Sequence, residues 1–171
     1  MSISMSSASL PVFVRMLSNL DHMLVKAQEF VEVKKCDPAA LTQFRLAPDM
    51  LPFSRQILIA CDAAKNAVAR LTGVAAPKFD DTETTLPELR ARIRKTLDYL
   101  NAVPSDAIDG SEAKEITFPV GKEATRTMTG EAYLKHWALP NVFFHVTTAY
   151  AILRHNGVAL GKVDYLLGAD A

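Results

Sequence analysis

Asn141 and His145 stand four residues apart in the apolar run Leu139-Pro140-Asn141-Val142-Phe143-Phe144-His145. Positions i and i+4 share one face of a helix, so an amide and an imidazole would lie one turn apart. Asp62 interrupts a second apolar run, Ile57 to Ala64. A carboxylate there either pairs locally with Lys65 or Asn66, or is buried and pairs across the protein. If Asp62 faces Asn141 and His145, the three make a polar cluster between helices, the kind of place where bundle cores hold metals. One imidazole among three donors is a poor zinc or nickel set. The other chemistry open to such a cluster is general acid/base work. The plainer reading of His145 is a core histidine satisfied by one hydrogen bond.

A second pair, Arg45 and Asp49, flanks Pro48 in Arg45-Leu46-Ala47-Pro48-Asp49-Met50. The proline makes a turn, and a salt bridge between the two charges would lock it; Asp49 also fits as a cap for the next helix. The sequence contains no glycine-rich phosphate loop, no Gly-x-Ser-x-Gly elbow and no His-Glu-x-x-His.

The elements that must position these residues are helices. Leu10, Phe13, Leu17, Leu20, Leu24, Ala27 and Val31 recur in steps of three and four, which sets them on one face. Ser9 is the expected cap, and Pro11 is tolerated in the first turn. His22, opposite that stripe, is expected at the surface. A second helix is expected from about Leu51 to Leu71, stopped by Gly73, with Phe53, Ile57, Ala60, Ala64, Ala67 and Leu71 inward. A third starts at a capping box, Thr85 with Glu88, and buries Leu86, Leu89, Ile93, Leu97 and Leu100. Its basic residues Arg90, Arg92, Arg94 and Lys95 read as a solvated face. Ile116, Phe118 and Val120 alternate with polar residues and turn at Gly121-Lys122-Glu123 into 124–128, a short hairpin. The last long helix runs from about Gly130 to Asn156, capped by Thr129 and kinked by Pro140 near Trp137 to Leu139. Val158 to Ala171 forms a packed extension. The expected fold is all-α: one domain over 1–171, a four-helix bundle with a small β-hairpin inserted before the last long helix. The segment 37–50 is long enough for a crossover.

Composition narrows the function classes. Lys plus Arg and Asp plus Glu are 19 each, so the net charge is zero and no basic stripe calls for nucleic acid. No apolar run approaches the ~18 residues of a membrane span, and the N-terminus lacks a secretory signal. Cys36 and Cys61 make neither a disulfide framework nor a metal knuckle. The protein is expected in the cytoplasm with both thiols free.

The stretches Leu10-Pro11-Val12-Phe13, Arg45 to Met50, Leu139 to His145, Ala149 to Arg154 and Gly157 to Lys162 resemble the DinB/YfiT-like superfamily of four-helix bundles. Within it they resemble a branch known as a domain of unknown function. Metal-binding members of the superfamily use one histidine on the second helix and a His-x-x-x-His pair on the fourth. The resemblance places those ligand positions near Asp62 and on Asn141 and His145, so His145 alone keeps the histidine. It implies a divalent metal, zinc or nickel, at Asp62, Asn141 and His145 if any cofactor is held at all. Two histidines are replaced, and the expected function is therefore a small-molecule-binding or interaction module with a degenerate metal site. The alternative is a metal-dependent or general acid/base enzyme, of hydrolase or thiol-transferase type, using the same three residues. A homodimer is expected from the resemblance and from the alanine-rich second helix.

Overall fold

A computed structural model describes residues 3–104, 106–121 and 123–170. Its four long helices are α1 (Leu10–Lys34), α3 (Phe53–Thr72), α4 (Leu86–Ala102) and α6 (Leu139–His155). Short helices α2 (Pro38–Gln43), α5 (Gly130–Tyr133) and α7 (Lys162–Leu166) lie between and after them. Strands β1 (Glu115–Val120) and β2 (Ala124–Thr129) pair antiparallel from Glu115–Thr129 to Val120–Ala124. Lys122, in the expected turn, lies outside the described residues, as does Ala171 at the end of the expected extension. No helix among the described residues is long and apolar enough to cross a membrane.

Helix α1 packs on α4 and α6, and so does α3, so α1 and α3 occupy opposite corners of the bundle. The segment from 35 to 52 is therefore a crossover, and it carries α2. Local signals account for each long helix. Every residue of the α1 stripe is buried, from Leu10 to Val31. All six inward positions expected on α3 are buried, and Gly73 ends the helix at φ 84°, a conformation glycine adopts without a Cβ penalty. The Thr85–Glu88 capping box is complete in both directions. Closing the core, Ile116 and Phe118 bury one face of the hairpin while β2 stays largely exposed. The C-terminal segment docks on α1: Asn19 donates to the Tyr165 carbonyl, and Asp164 accepts from Lys26 at 2.8 Å.

Four local expectations are corrected. Ser9 stands at the α1 cap position, but its hydroxyl donates back to the Met5 carbonyl at 2.7 Å, because residues before it already turn. His22 is half-buried beside Asp164, 3.1 Å away, because α7 covers that side of α1. The basic face of α4 is not wholly solvated. Arg90 bonds Asp21 through two nitrogens, and the Arg92 side chain is 1% exposed, since acidic residues from outside α4 surround it. Leu97, expected in the core, is partly buried.

Pro140 leaves the last long helix unbroken but changes its winding. Residues Leu134–Ala138 form a π turn between α5 and α6, with the Leu139 N–H bonded to the Leu134 carbonyl. Proline cannot give an N–H to the His136 carbonyl four residues back. The wider turn just before it lets the chain continue helically, from Gly130 to His155.

Candidate functional site

Helices α3 and α6 run antiparallel and form the most extensive interface of the bundle. Their seam can be followed in rungs. Gln56 meets His145, and Arg70 meets Tyr133 at the other end. Between these ends opens a cleft of ≈ 180 Å³, lined by Asp62, Asn66 and Arg70 from α3 and by Tyr133, Trp137 and Asn141 from the facing helix. Each set of three is an i, i+4, i+8 series. On an ideal α-helix such a series drifts around the axis, and the extra residue in the π turn counters that drift between 133 and 141.

The structure thus brings Asp62 and Asn141 to one cleft and leaves His145 a turn beyond it, outside the lining. Asp62 is paired both locally and across the bundle. Its Oδ1 lies 2.8 Å from Lys65 Nζ and 3.0 Å from Arg92 Nη2. The local pairing expected with Lys65 is there, and the distant partner is arginine, not His145. Arg92 also reaches Asp81, Glu83 and the Asp80 carbonyl, pinning the segment after α3 against α4.

His145 Nδ1 lies 2.7 Å from Gln56 Oε1. Gln56 uses its Nε2 to donate to the Leu51 carbonyl, so its oxygen faces the ring and His145 donates through Nδ1. Burial lowers the imidazole pKa to about 4, so the ring is neutral at physiological pH. This is a histidine satisfied by one hydrogen bond. A base with so low a pKa is poorly matched to proton abstraction near neutrality. Cys61, on the inner side of α3, is driven up to about 12 by burial and stays a thiol.

Asp62, Asn141 and His145 do not fit a divalent metal. The carboxylate already faces two cations, the amide is a weak donor, and the one imidazole sits outside the cleft. Among the described residues no cluster of three His, Cys, Asp or Glu side chains is placed to hold an ion. The Arg45–Asp49 pair is also corrected. Arg45 Nη1 donates to the Met50 carbonyl at 2.7 Å, and α3 starts at Phe53, with Pro52 before it and no side-chain cap. The loop is closed by a backbone acceptor, because Pro48 turns the main chain toward the guanidinium within five residues.

Arg70, Asn66, Tyr133 and Trp137 were not singled out by their sequence context. The available signal was the period-four polar series on each helix: Asp62-Asn66-Arg70, and Tyr133-Trp137-Asn141 running on to His145.

Residues 5–166 match the family model described as "Domain of unknown function (DUF1993)". No curated protein matches the chain. Among solved structures the chain is similar to a DinB family member protein from Shewanella denitrificans. The two share 45% sequence identity and a TM-score of 0.85, over 94% of this chain and 90% of that one. The chain belongs to the DUF1993 family, a branch of unknown function within the DinB-like superfamily.

Proposed function

We propose that this protein is a cytoplasmic small-molecule-binding module that works through the α3–α6 cleft and needs no metal. The observation that carries the proposal is the state of Asp62. It lines the cleft at a position where the superfamily places a metal ligand, yet Lys65 and Arg92 neutralise it. The enzyme alternative would need a competent base, and His145 is neither in the cleft nor basic enough. What the cleft offers is a concave, partly apolar wall with convergent polar groups, the general character of small-ligand sites. Its volume lies below the ~300 Å³ at which drug-sized sites begin, so the ligand is small. Ligand-observed NMR with a panel of small acids, amines and neutral amides tests this, using wild type and Ala63→Leu, which narrows the cleft. Binding lost in the variant is the expected result. Hits that Ala63→Leu leaves unchanged, or no hit at millimolar concentration, would sink the proposal.

A second copy of the chain is the proposed protein partner, through a different face from the one expected. Ala60, Ala64 and Ala67 are fully buried inside the bundle and present no surface. Among the exposed apolar side chains, Phe143 and Phe144 of α6 gather with Leu46 around one surface groove. Such clusters mark contact surfaces on soluble proteins. Light scattering after size exclusion would show a dimer that Phe144→Glu disperses.

A further inference from the structure

We propose that the ligand of the α3–α6 cleft is a small carboxylate with a short apolar body, and that Arg70 is the group that binds its carboxylate. This rests on the cleft as binding site and adds the charge of the ligand and its anchor. Of the arginines on α3 and α4, Arg55, Arg90, Arg92 and Arg94 each pair with a carboxylate. Arg70 has no carboxylate in ion-pair reach among the described residues; its bonded partner is a phenol. The guanidinium is nonetheless fixed. Nη1 donates to Tyr133 Oη at 2.9 Å, and the guanidinium carbon lies 5.5 Å from the Phe118 ring centre and 5.8 Å from that of Tyr133. Aromatic faces hold a cation without neutralising it. A guanidinium carries five N–H donors in a planar fork, so several remain for a carboxylate, which matches that fork in two parallel bonds.

The surroundings agree. Tyr133 is 1% exposed, and because its oxygen accepts from Arg70, its own O–H remains a donor with no protein acceptor among the described residues. The Asn66 and Asn141 amides line the same space. Asp62 does not cancel Arg70. Eight residues of helix separate them, about 12 Å at ~1.5 Å per residue, and Asp62 is held by its own two cations. The remaining wall, Ile59, Ala63, Pro119 and Trp137, is apolar and calls for a short hydrocarbon body.

The test is calorimetric or NMR titration of the full chain with isovalerate and with its neutral isostere isovaleramide at pH 7. The acid is expected to bind about tenfold or more tightly than the amide, the scale of a charge-assisted bond. Arg70→Met should erase that preference, and Tyr133→Phe should weaken the acid several-fold. Added salt should weaken the acid alone. If Arg70→Met does not fold by circular dichroism, Arg70→Lys serves instead. It keeps the charge, loses the fork, and should lose several-fold; wild-type affinity in it overturns the anchor. If acid and amide bind equally and Ala63→Leu removes both, the cleft stands and the carboxylate inference falls. Displacement of the acid by equimolar inorganic phosphate would also overturn it, in favour of a general anion site. If neither compound binds, the carboxylate inference falls; loss of small-molecule hits altogether in the wider panel is the separate result that removes the cleft.

Discussion

At the scale of single residues, His145 carries a measurable consequence of its burial. Its folded pKa is about 4, against an ordinary 6.5. Between those values the unfolded chain binds a proton that the folded chain does not, so stability falls as pH drops from about 6.5 to about 4. The ring is partly exposed, and solvent screening reduces the effect to roughly 1–2 kcal/mol. Urea midpoints of wild type should decline across this window, and those of His145→Gln should stay nearly level. Parallel slopes would show that the ring titrates normally. Carboxylates leave a separate mark at lower pH. The Thr84 and Thr85 N–H groups hold Glu88 at about 2. For Asp164, burial would raise the pKa, but Lys26, the Gly161 N–H and His22 outweigh it and hold it at about 2. Their contributions are lost only below the ordinary carboxylate range.

At the scale of elements, the join between the hairpin and the last long helix brings two backbones into close approach at Gly130. A Cβ on Gly130 would lie 1.9 Å from the Ser111 carbonyl oxygen, a backbone atom with no rotamer to escape through. The Glu131 N–H bonds the Glu112 carbonyl beside it, so the two segments are tied at that distance. Glycine to alanine within a helix ordinarily stabilises by about 1 kcal/mol. Here the sign should reverse, and Gly130→Ala should cost about 1–3 kcal/mol through overpacking. A rise in the denaturation midpoint would mean the contact is slack. The same join matters for the cleft: Phe118 of β1 packs at 5.0 Å on Tyr133 and 4.9 Å on Trp137, so the hairpin backs two cleft residues.

At the scale of the whole molecule, Arg92 ties together parts of the chain that local forces would leave apart. It joins Asp62 of α3 to Asp81 and Glu83 of the following segment, and Phe79 covers its guanidinium at 4.8 Å. Removing the arginine leaves the partly buried Glu83 without its cation, while Asp62 and Asp81 keep access to water, which costs about 1–3 kcal/mol. Arg92→Met should be destabilised by that amount and should expose residues 74–84 to limited proteolysis. A variant with wild-type stability and the same protease pattern would show that the segment is held by Phe79 packing alone. Because Arg92 is one of the two cations on Asp62, its loss would leave that carboxylate at the cleft paired with Lys65 alone.

The sequence by itself determined the four long helices, because their signals are local. The stripe from Leu10 to Val31 repeats with the helical period, Gly73 stops α3, and the Thr85–Glu88 box starts α4, all within a few residues of where they act. The hairpin was legible for the same reason, through the alternation of Ile116, Phe118 and Val120. Of the candidate site, the sequence marked Asp62 and Asn141, polar residues in apolar runs that do reach one cleft. The identity of each partner belonged to the tertiary structure. His145 bonds Gln56 across 89 residues, Arg70 bonds Tyr133 across 63, and Arg92 bonds Asp62 across 30. Those pairs depend on which helices are neighbours and on the register in which α3 and α6 pass each other. Helical period says which side of a helix a residue occupies, but not which residue it will find opposite.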